Sequence, residues 1–478
     1  MKKELTFALN YALNKGFQIH PDAFKILENV DVKKLEKIIK EIVREKTKQK
    51  LFQINQDDLE TYLGIKEDPT LQSEIKVLSD PTTKITTGEG VKGYNALFSS
   101  RFNKLKRIIS ERPESRKLKS IASTKTAKSK DDLYVCGLIT SRISERNITK
   151  LVLEDPSGSF DGIVFDSELQ KTAGTLLTDQ FVMARISPGK NSVMIIKDLI
   201  LPDIPDQAVN KSETEAYAVF LSDLHIGSKF FMEEEFTEFV SWLSSPDPVA
   251  RKIRFVLIAG DIVDGVGIYP NQDKELVCLT IEEQLKKTVG LIDKIPKNVK
   301  VIIMPGNHDP GRRALPQPAI PKKYNSDLWE MENVVMVGNP AVVSLNGVKV
   351  MMFHGQSIDD IVRTTPGLSY NKPTNVMKHL LRARHLSPIY GSQTPIAPEL
   401  EDLLVIENIP DILHVGHVHR AELDMYKGIL LVNSGSWQRQ TPFQASVGMT
   451  PNPGIAIMVN LKTFQVFHQN YNSNSENI

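Results

Sequence analysis

Five short segments of the chain each set metal-type side chains directly after an apolar run of β-forming residues. They are Asp223-Leu-His225 after AVFLS, Gly260-Asp261-Ile-Val-Asp264 after FVLIA, Gly306-Asn307-His308-Asp309 after VIIMP, His354-Gly355 after VMMF, and Gly416-His417-Val-His419 after DILHV. Loops at the carboxyl ends of strands are where an α/β sheet assembles its site, so the five are expected to converge on one cleft. Alone, each is weak: a histidine after a strand is commonly a hydrogen-bonded loop residue, and a Gly-Asp pair is commonly a turn. Together they constrain the fold, because five of the chain's ten histidines fall in these motifs. His20, His379, His385, His414 and His468 are read as ordinary structural histidines.

The set supplies carboxylate, amide and imidazole but no thiolate. That donor chemistry suits hard to borderline divalent ions, namely manganese, iron, zinc or magnesium, rather than a structural zinc. A pair of such ions about 3.5–4 Å apart needs a carboxylate able to bridge them, and Asp261 is the best candidate. Water activated between two such ions attacks phosphorus in line, so the expected reaction class is phosphoester hydrolysis.

The rest of the chain divides by pattern. Its 478 residues suggest about three domains at roughly 150 residues each. Apolar residues make up 41%, charged residues 24%, and no apolar run is long enough for a membrane span. The N-terminus lacks the features of a signal peptide, and the cytoplasm is the expected compartment. Two cysteines, Cys136 and Cys278, cannot supply a disulfide framework. Residues 1–65 read as a helical module: Asp31 caps a helix whose Leu35, Ile38, Ile39 and Ile42 share one face, and Asn55 caps a second with Leu59, Tyr62 and Leu63 inward. Lys and Arg balance Asp and Glu overall, 59 to 58, yet residues 101–130 hold 11 basic residues against two acids. Residues 66–130 are therefore expected to be a basic, flexible linker, either a solubilising tether or a contact for nucleic-acid phosphates.

Five short β runs within 131–205, with one helical insertion, fit a small OB-type barrel. Its aromatics, Tyr134, Phe160, Phe165 and Phe181, are expected in the core rather than as base-stacking platforms. Residues 214–470 alternate β runs with helical stretches and indicate an α/β domain, a β-sandwich with flanking helices.

The five motifs in order, D-x-H, G-D-x-x-D, G-N-H-D, H and G-H-x-H, resemble the calcineurin-like metallophosphoesterases over residues 223–419. That resemblance implies that Asp223, His225, Asp261 and His419 hold one metal, and that Asp261, Asn307, His354 and His417 hold the other. It implies His308 as the catalytic histidine outside the ligand set, oriented by Asp264, for which a helix N-cap is the plain alternative. GNHDPGRRALPQPAIP, HGQSIDD and NSGSWQRQTPFQ, with the order of domains, further resemble the small subunits of archaeal family D DNA polymerases. This implies a 3'-5' proofreading exonuclease, usually manganese-dependent, acting on a single-stranded or mismatched DNA end. It also implies a large catalytic polymerase subunit as partner.

Arg312 and Arg313, just beyond His308, are expected to grip a phosphate of the nucleic acid. Trp437 is expected in the core, as is Phe443, with stacking on a displaced terminal base as the alternative role. Two other functions compete with the nuclease: a catalytically silent scaffold, and a phosphoesterase acting on small nucleotides or phosphoproteins.

Overall fold

The computed structural model describes residues 3–29, 32–48, 50–62, 73–124, 133–189, 193–245, 247–446 and 448–472. Two six-stranded sheets lie face to face. One runs in the spatial order Val334–Met336, Lys300–Met304, Ile253–Ala259, Tyr217–Leu221, Ile455–Asn460, Val466–Asn470. The other runs Ala421–Tyr426, Ile429–Ser434, Ile412–Val415, Val348–Phe353, Ala341–Leu345, Ile75–Ser79. Central strands such as Tyr217–Leu221 and Ile253–Ala259 are buried along their whole length, which explains their unbroken apolar runs.

Phe220, Leu257, Met304, Val350, Met352 and Val432 fill the space between the sheets. Helices Glu233–Leu243 and Ile281–Ile292 cover the outer face of the first sheet through Phe236, Phe239, Leu291 and Ile292. Helix Pro373–Ala383 covers the second through Val376, Met377, Leu380 and Leu381. The motif-bearing strands of both sheets thus end at one edge of a layered α/β/β/α sandwich.

Residues 3–62 are mainly helical: Lys3–Asn14, Pro21–Asn29, Val32–Lys48 and Gln56–Tyr62 enclose Leu35, Ile38, Ile39, Ile42 and Leu59. Asn55 Oδ1 accepts from the amide of Asp58 at 2.9 Å, as expected of a cap, while Asp31 and Leu63 lie outside the described residues. Five strands form a closed barrel in the order Leu133–Ser144, Thr149–Asp155, Gly158–Val164, Met194–Ile200, Phe181–Pro188. Helix Ser167–Gly174, capped by Asp166, follows the third strand in sequence. Phe160 and Phe181 are buried in the barrel region, whereas Phe165 is exposed, against expectation.

The expected linker is corrected by the structure. Strand Ile75–Ser79 pairs antiparallel with Ala341–Leu345, Val77 opposite Val343, and completes the second sheet. Helix Gly90–Ile109 follows, with Leu97, Phe102, Leu105 and Ile109 buried. Phe102 and Leu105 meet barrel residues Phe181 and Met183 and sandwich residue Val405, so the helix is wedged between the two units. Three of its positive charges, Arg101, Lys104 and Arg107, are matched by acids some 300 residues away. Arg101, 1% exposed, gives Nε to Asp402 at 2.8 Å and Nη1 to the Pro388 carbonyl at 2.7 Å. Lys104 meets Glu401 and Glu407 at 2.6 and 2.7 Å. Residues 125–132, the Ser/Thr/Lys stretch nearest the barrel, lie outside the described residues. No helix among the described residues is long and apolar enough to cross a membrane.

Asp402 is fully buried and also receives His385 Nε2 at 2.9 Å. Removing one partner of a buried ion pair leaves the other charge uncompensated. Arg101→Met is therefore expected to lower the unfolding free energy in urea by about 3–5 kcal/mol and to accelerate amide exchange across residues 90–109.

Candidate metal centre

The carboxyl ends of strands from both sheets deliver the motif residues to one cleft. Asp223, His225, Asp261, His417 and His419 all have positive φ, between 51° and 71°. Non-glycine residues adopt that backbone at a cost of order 1–3 kcal/mol each, and such strain collects at functional sites. The motif glycines make room. A Cβ on Gly306 would collide with Asp261 Oδ1, and one on Gly416 would lie 2.5 Å from Ser222 Oγ and 2.6 Å from Asp223 Oδ2.

Three groups of donors result among the described residues: Asp223, His225 and His419 form the first, Asp261, His354 and His417 the second, and His225, Asp264 and His308 a third, with ligand atoms within 4.8 Å of one another in each. Asp261 faces the first two: its Oδ2 lies 3.3 Å from His354 Nε2 and 3.9 Å from His225 Nε2. Asn307 Oδ1 joins the second cluster at 2.9 Å from His354 Nε2. All seven ligand candidates from the sequence are therefore together.

The imidazoles are held from behind. His354 donates Nδ1–H to the Ala259 carbonyl at 2.8 Å, and His225 donates Nδ1–H to Asp264 Oδ1 at 3.0 Å. Each therefore turns Nε2 into the cleft. Gln444 Nε2 donates to His419 Nδ1 at 2.8 Å, its Oε1 accepting from the Thr441 amide, so His419 Nε2 carries the proton of the neutral ring and faces inward, 3.1 Å from His225 Nε2. His417 Nε2 lies 3.0 Å from Asp359 Oδ2.

Asp264 departs from its expected role. Its carboxylate serves His225, steadied by Gln272 Nε2 at 2.9 Å and Gln438 Nε2 at 3.0 Å. Its backbone carbonyl, not its side chain, holds His308 Nδ1 at 2.7 Å. Nor does Asp264 cap a helix, since the next α-helix starts at Ile281 behind Thr280. Arg312 is also corrected: it pairs with Glu399, itself 1% exposed, at 2.6 Å and bonds the Pro316 carbonyl, so it latches loops together instead of facing a phosphate. Arg313 is exposed and makes no ion pair among the described residues.

No role was expected for Asp359, Gln272, Gln438, Gln444 or Ser222. Asp359, Gln438 and Gln444 lie in HGQSIDD and NSGSWQRQTPFQ, segments that carried the family resemblance without an assigned function. Trp437 is buried against Phe236 and Phe239, as expected, whereas Phe443 is 56% exposed.

Electrostatics fit a cation. Burial opposes the Asp261 charge, but His354, His308 and His225 outweigh it and hold the carboxyl well below the usual carboxylate range. Against its own burial, His354 is pushed up to about 10 by the Asp261 charge. Ser222 Oγ donates to Asp223 Oδ2, yet Asp223 Oδ1 is buried without a hydrogen-bond partner, 3.6 Å from His419 Nε2. An all-oxygen and nitrogen set with an orphaned, inward carboxylate oxygen suits a divalent ion.

A ligand histidine must lose its proton to bind a metal, and His354 holds one up to about pH 10. Manganese binding is therefore expected to release protons and to tighten as pH rises from about 6 to about 9, measured by calorimetry in buffers of different ionisation enthalpy. Asp264→Asn, which removes the acceptor charge behind His225, is expected to weaken manganese binding about 10- to 100-fold in the same measurement.

The family model for the B subunit of DNA polymerases alpha and epsilon matches residues 218–422. The DNA polymerase II small subunit of Archaeoglobus fulgidus is 40% identical over 386 residues, covering 80% of this chain and 77% of that protein. Those of Pyrococcus furiosus, 36% identical over 85% of this chain and 68% of its own, and Methanothermobacter thermautotrophicus, 35% over 81% of each, are similar. Among solved structures, an archaeal phosphodiesterase is 12% identical with a TM-score of 0.28, over 53% of this chain and 98% of its own. On its identity and coverage with these relatives, the chain belongs to the family of archaeal DNA polymerase II small subunits, those of the family D polymerases.

Proposed function

We propose that this chain is a metal-dependent exonuclease that removes nucleotides from the 3' end of DNA, and that it does so in the cytoplasm beside a large polymerase subunit for which it is also a scaffold. The observation that carries this reading is Asp261, a buried carboxylate facing the first two donor clusters, with His308 beside it in the group it shares with His225 and Asp264. Asp223, His225, Asp261 and His419 would hold one divalent ion and Asp261, Asn307, His354 and His417 the second, manganese being the expected metal. When bound, the ions supply Lewis acidity, acidifying a water and taking up charge that builds on the phosphate oxygens.

The chain's own residues do the rest. Asp264 fixes His225 through its carboxylate and His308 through its carbonyl, so one loop sets a ligand and the catalytic ring together. His308 Nε2 points toward Asp261 Oδ2 at 3.9 Å, close to where a scissile phosphate would sit. Burial lowers the His308 pKa, against the pull of Asp261, which makes the protonated ring a strong acid for the leaving oxygen. Arg313, exposed and five residues beyond His308 in sequence, would meet an adjacent phosphate. The barrel, with a helix after its third strand and a parallel pairing of its third and fifth, is read as OB-type and, with few exposed aromatics, as a scaffold.

Manganese is expected to activate stepwise shortening, from the 3' end, of a 5'-labelled single strand by the purified full chain. His308→Ala is expected to lower that rate by about 10²–10⁴ while manganese binding persists by calorimetry. Degradation that resists chelation, or that survives His308→Ala, would overturn the proposal. A rate higher on a generic aryl phosphodiester than on the oligonucleotide would instead favour a small-molecule phosphoesterase.

A further inference from the structure

Two aromatic rings stand at the lip of the cleft with no part in the ligand set. Phe443, on the short helix Pro442–Ser446, is 56% exposed. Tyr269 lies behind it with ring centroids 6.2 Å apart and planes only 19° from parallel, and the Tyr269 ring is 6.4 Å from that of His308. Phe443 thus presents a flat, apolar ring stacked on the tyrosine that neighbours His308.

Both rings are tied to the metal centre through one side chain each. Gln444, next in sequence to Phe443, holds His419 Nδ1 at 2.8 Å. Gln272 accepts from the Ile268 amide at 2.9 Å and donates to Asp264, the residue that holds His225. The Tyr269 hydroxyl is pinned on Glu275 Oε2 at 2.9 Å, which fixes the tilt of its ring. The pair is therefore held in fixed register with His225, His419 and His308, as a surface that must measure one nucleotide from the scissile phosphate would be.

We propose that Phe443, backed by Tyr269, is a stacking platform for the unpaired base of the nucleotide being removed. This assignment rests on the nuclease reading above and supplies its specificity: a base still paired in a duplex has its faces covered by its neighbours, whereas a frayed or mismatched terminal base can lie flat on the ring. Stacking of this kind tolerates all four bases, because each has a π-face.

The test uses the full chain and a single-stranded oligonucleotide ending in 2-aminopurine, whose fluorescence falls on stacking, together with the same strand ending in an abasic residue. In calcium, the wild-type chain is expected to quench the terminal base. Phe443→Ala is expected to lose the quench and to weaken binding of the base-bearing end by roughly 5- to 100-fold, and Phe443→Trp to restore both. In manganese, the wild-type preference for the base-bearing over the abasic end is expected to collapse toward one in Phe443→Ala. Hydrolysis with no quench, or with equal quench in wild type and Phe443→Ala, would overturn the platform and leave the nuclease reading standing; a ring that instead contacts a protein partner gives that outcome. No hydrolysis by the wild-type chain would overturn the nuclease reading, and the quench would then decide base stacking by itself.

Discussion

Asp261 is a carboxylate 2% exposed to solvent, carrying its charge among the imidazoles of His225, His308 and His354. An ionised group in that position costs several kcal/mol unless opposite charge and donors surround it, and the local architecture follows from meeting that demand. The amide of His308 donates to Asp261 Oδ1 at 2.8 Å, and Gly306 has no side chain so that this oxygen fits. Asp309, one residue on, gathers the amides of Ile262, Val263 and Gly306, and so ties the loop after one strand to the loop after its neighbour. Asp261 comes from one sheet and His354 from the other. The site is a joint between the two layers, where Asp261 Oδ2 and His354 Nε2 meet at 3.3 Å.

Supporting contacts are as ordered as the ligands. Behind Asp223 runs a chain of hydroxyls: Ser222 donates to the carboxylate, Ser434 donates to Ser222 at 2.8 Å, and His414 stands 3.0 Å from Ser434. His414 is buried and its pKa is pushed down to about 3, so this chain ends on a neutral ring. Carboxylate or carbonyl partners hold His225, His354 and His417, and an amide holds His419. His225 and His354, each held by its Nδ1–H, keep Nε2 turned inward without any change of ring orientation, which is the physical content of preorganisation.

The convergence of the motif residues was legible because each motif is local: an apolar run names the strand, and the residues after it must lie at the strand's end. Five β runs likewise located the barrel strands. What the motifs could not carry was cross-talk between loops. Whether Asp264 turns its carboxylate to His225 or to His308 depends on how neighbouring strands are offset, and no spacing along the chain encodes that. Arg312 looked like a phosphate contact because its partner, Glu399, is 87 residues away. The same blindness hid helix Gly90–Ile109, whose basic face looked self-repelling until Asp402, Glu401 and Glu407 supplied the opposite sign. Gln438 and Gln444 had no periodic or charged signature at all, and only their contacts give them meaning.

Strand Ile75–Ser79 has a further meaning for the life history of the chain. It is made before the barrel and yet completes a sheet whose other strands all come after the barrel. During synthesis it must wait, unpaired, while more than 260 residues emerge before Ala341–Leu345 can receive it. The barrel, whose strands are neighbours along the chain except where the first pairs with the fourth and the third with the fifth, can form in that interval, and the returning sandwich then closes over the wedge helix. Assembly order is thus written into the topology: the outermost rung of the second sheet is first to be born and among the last to be seated.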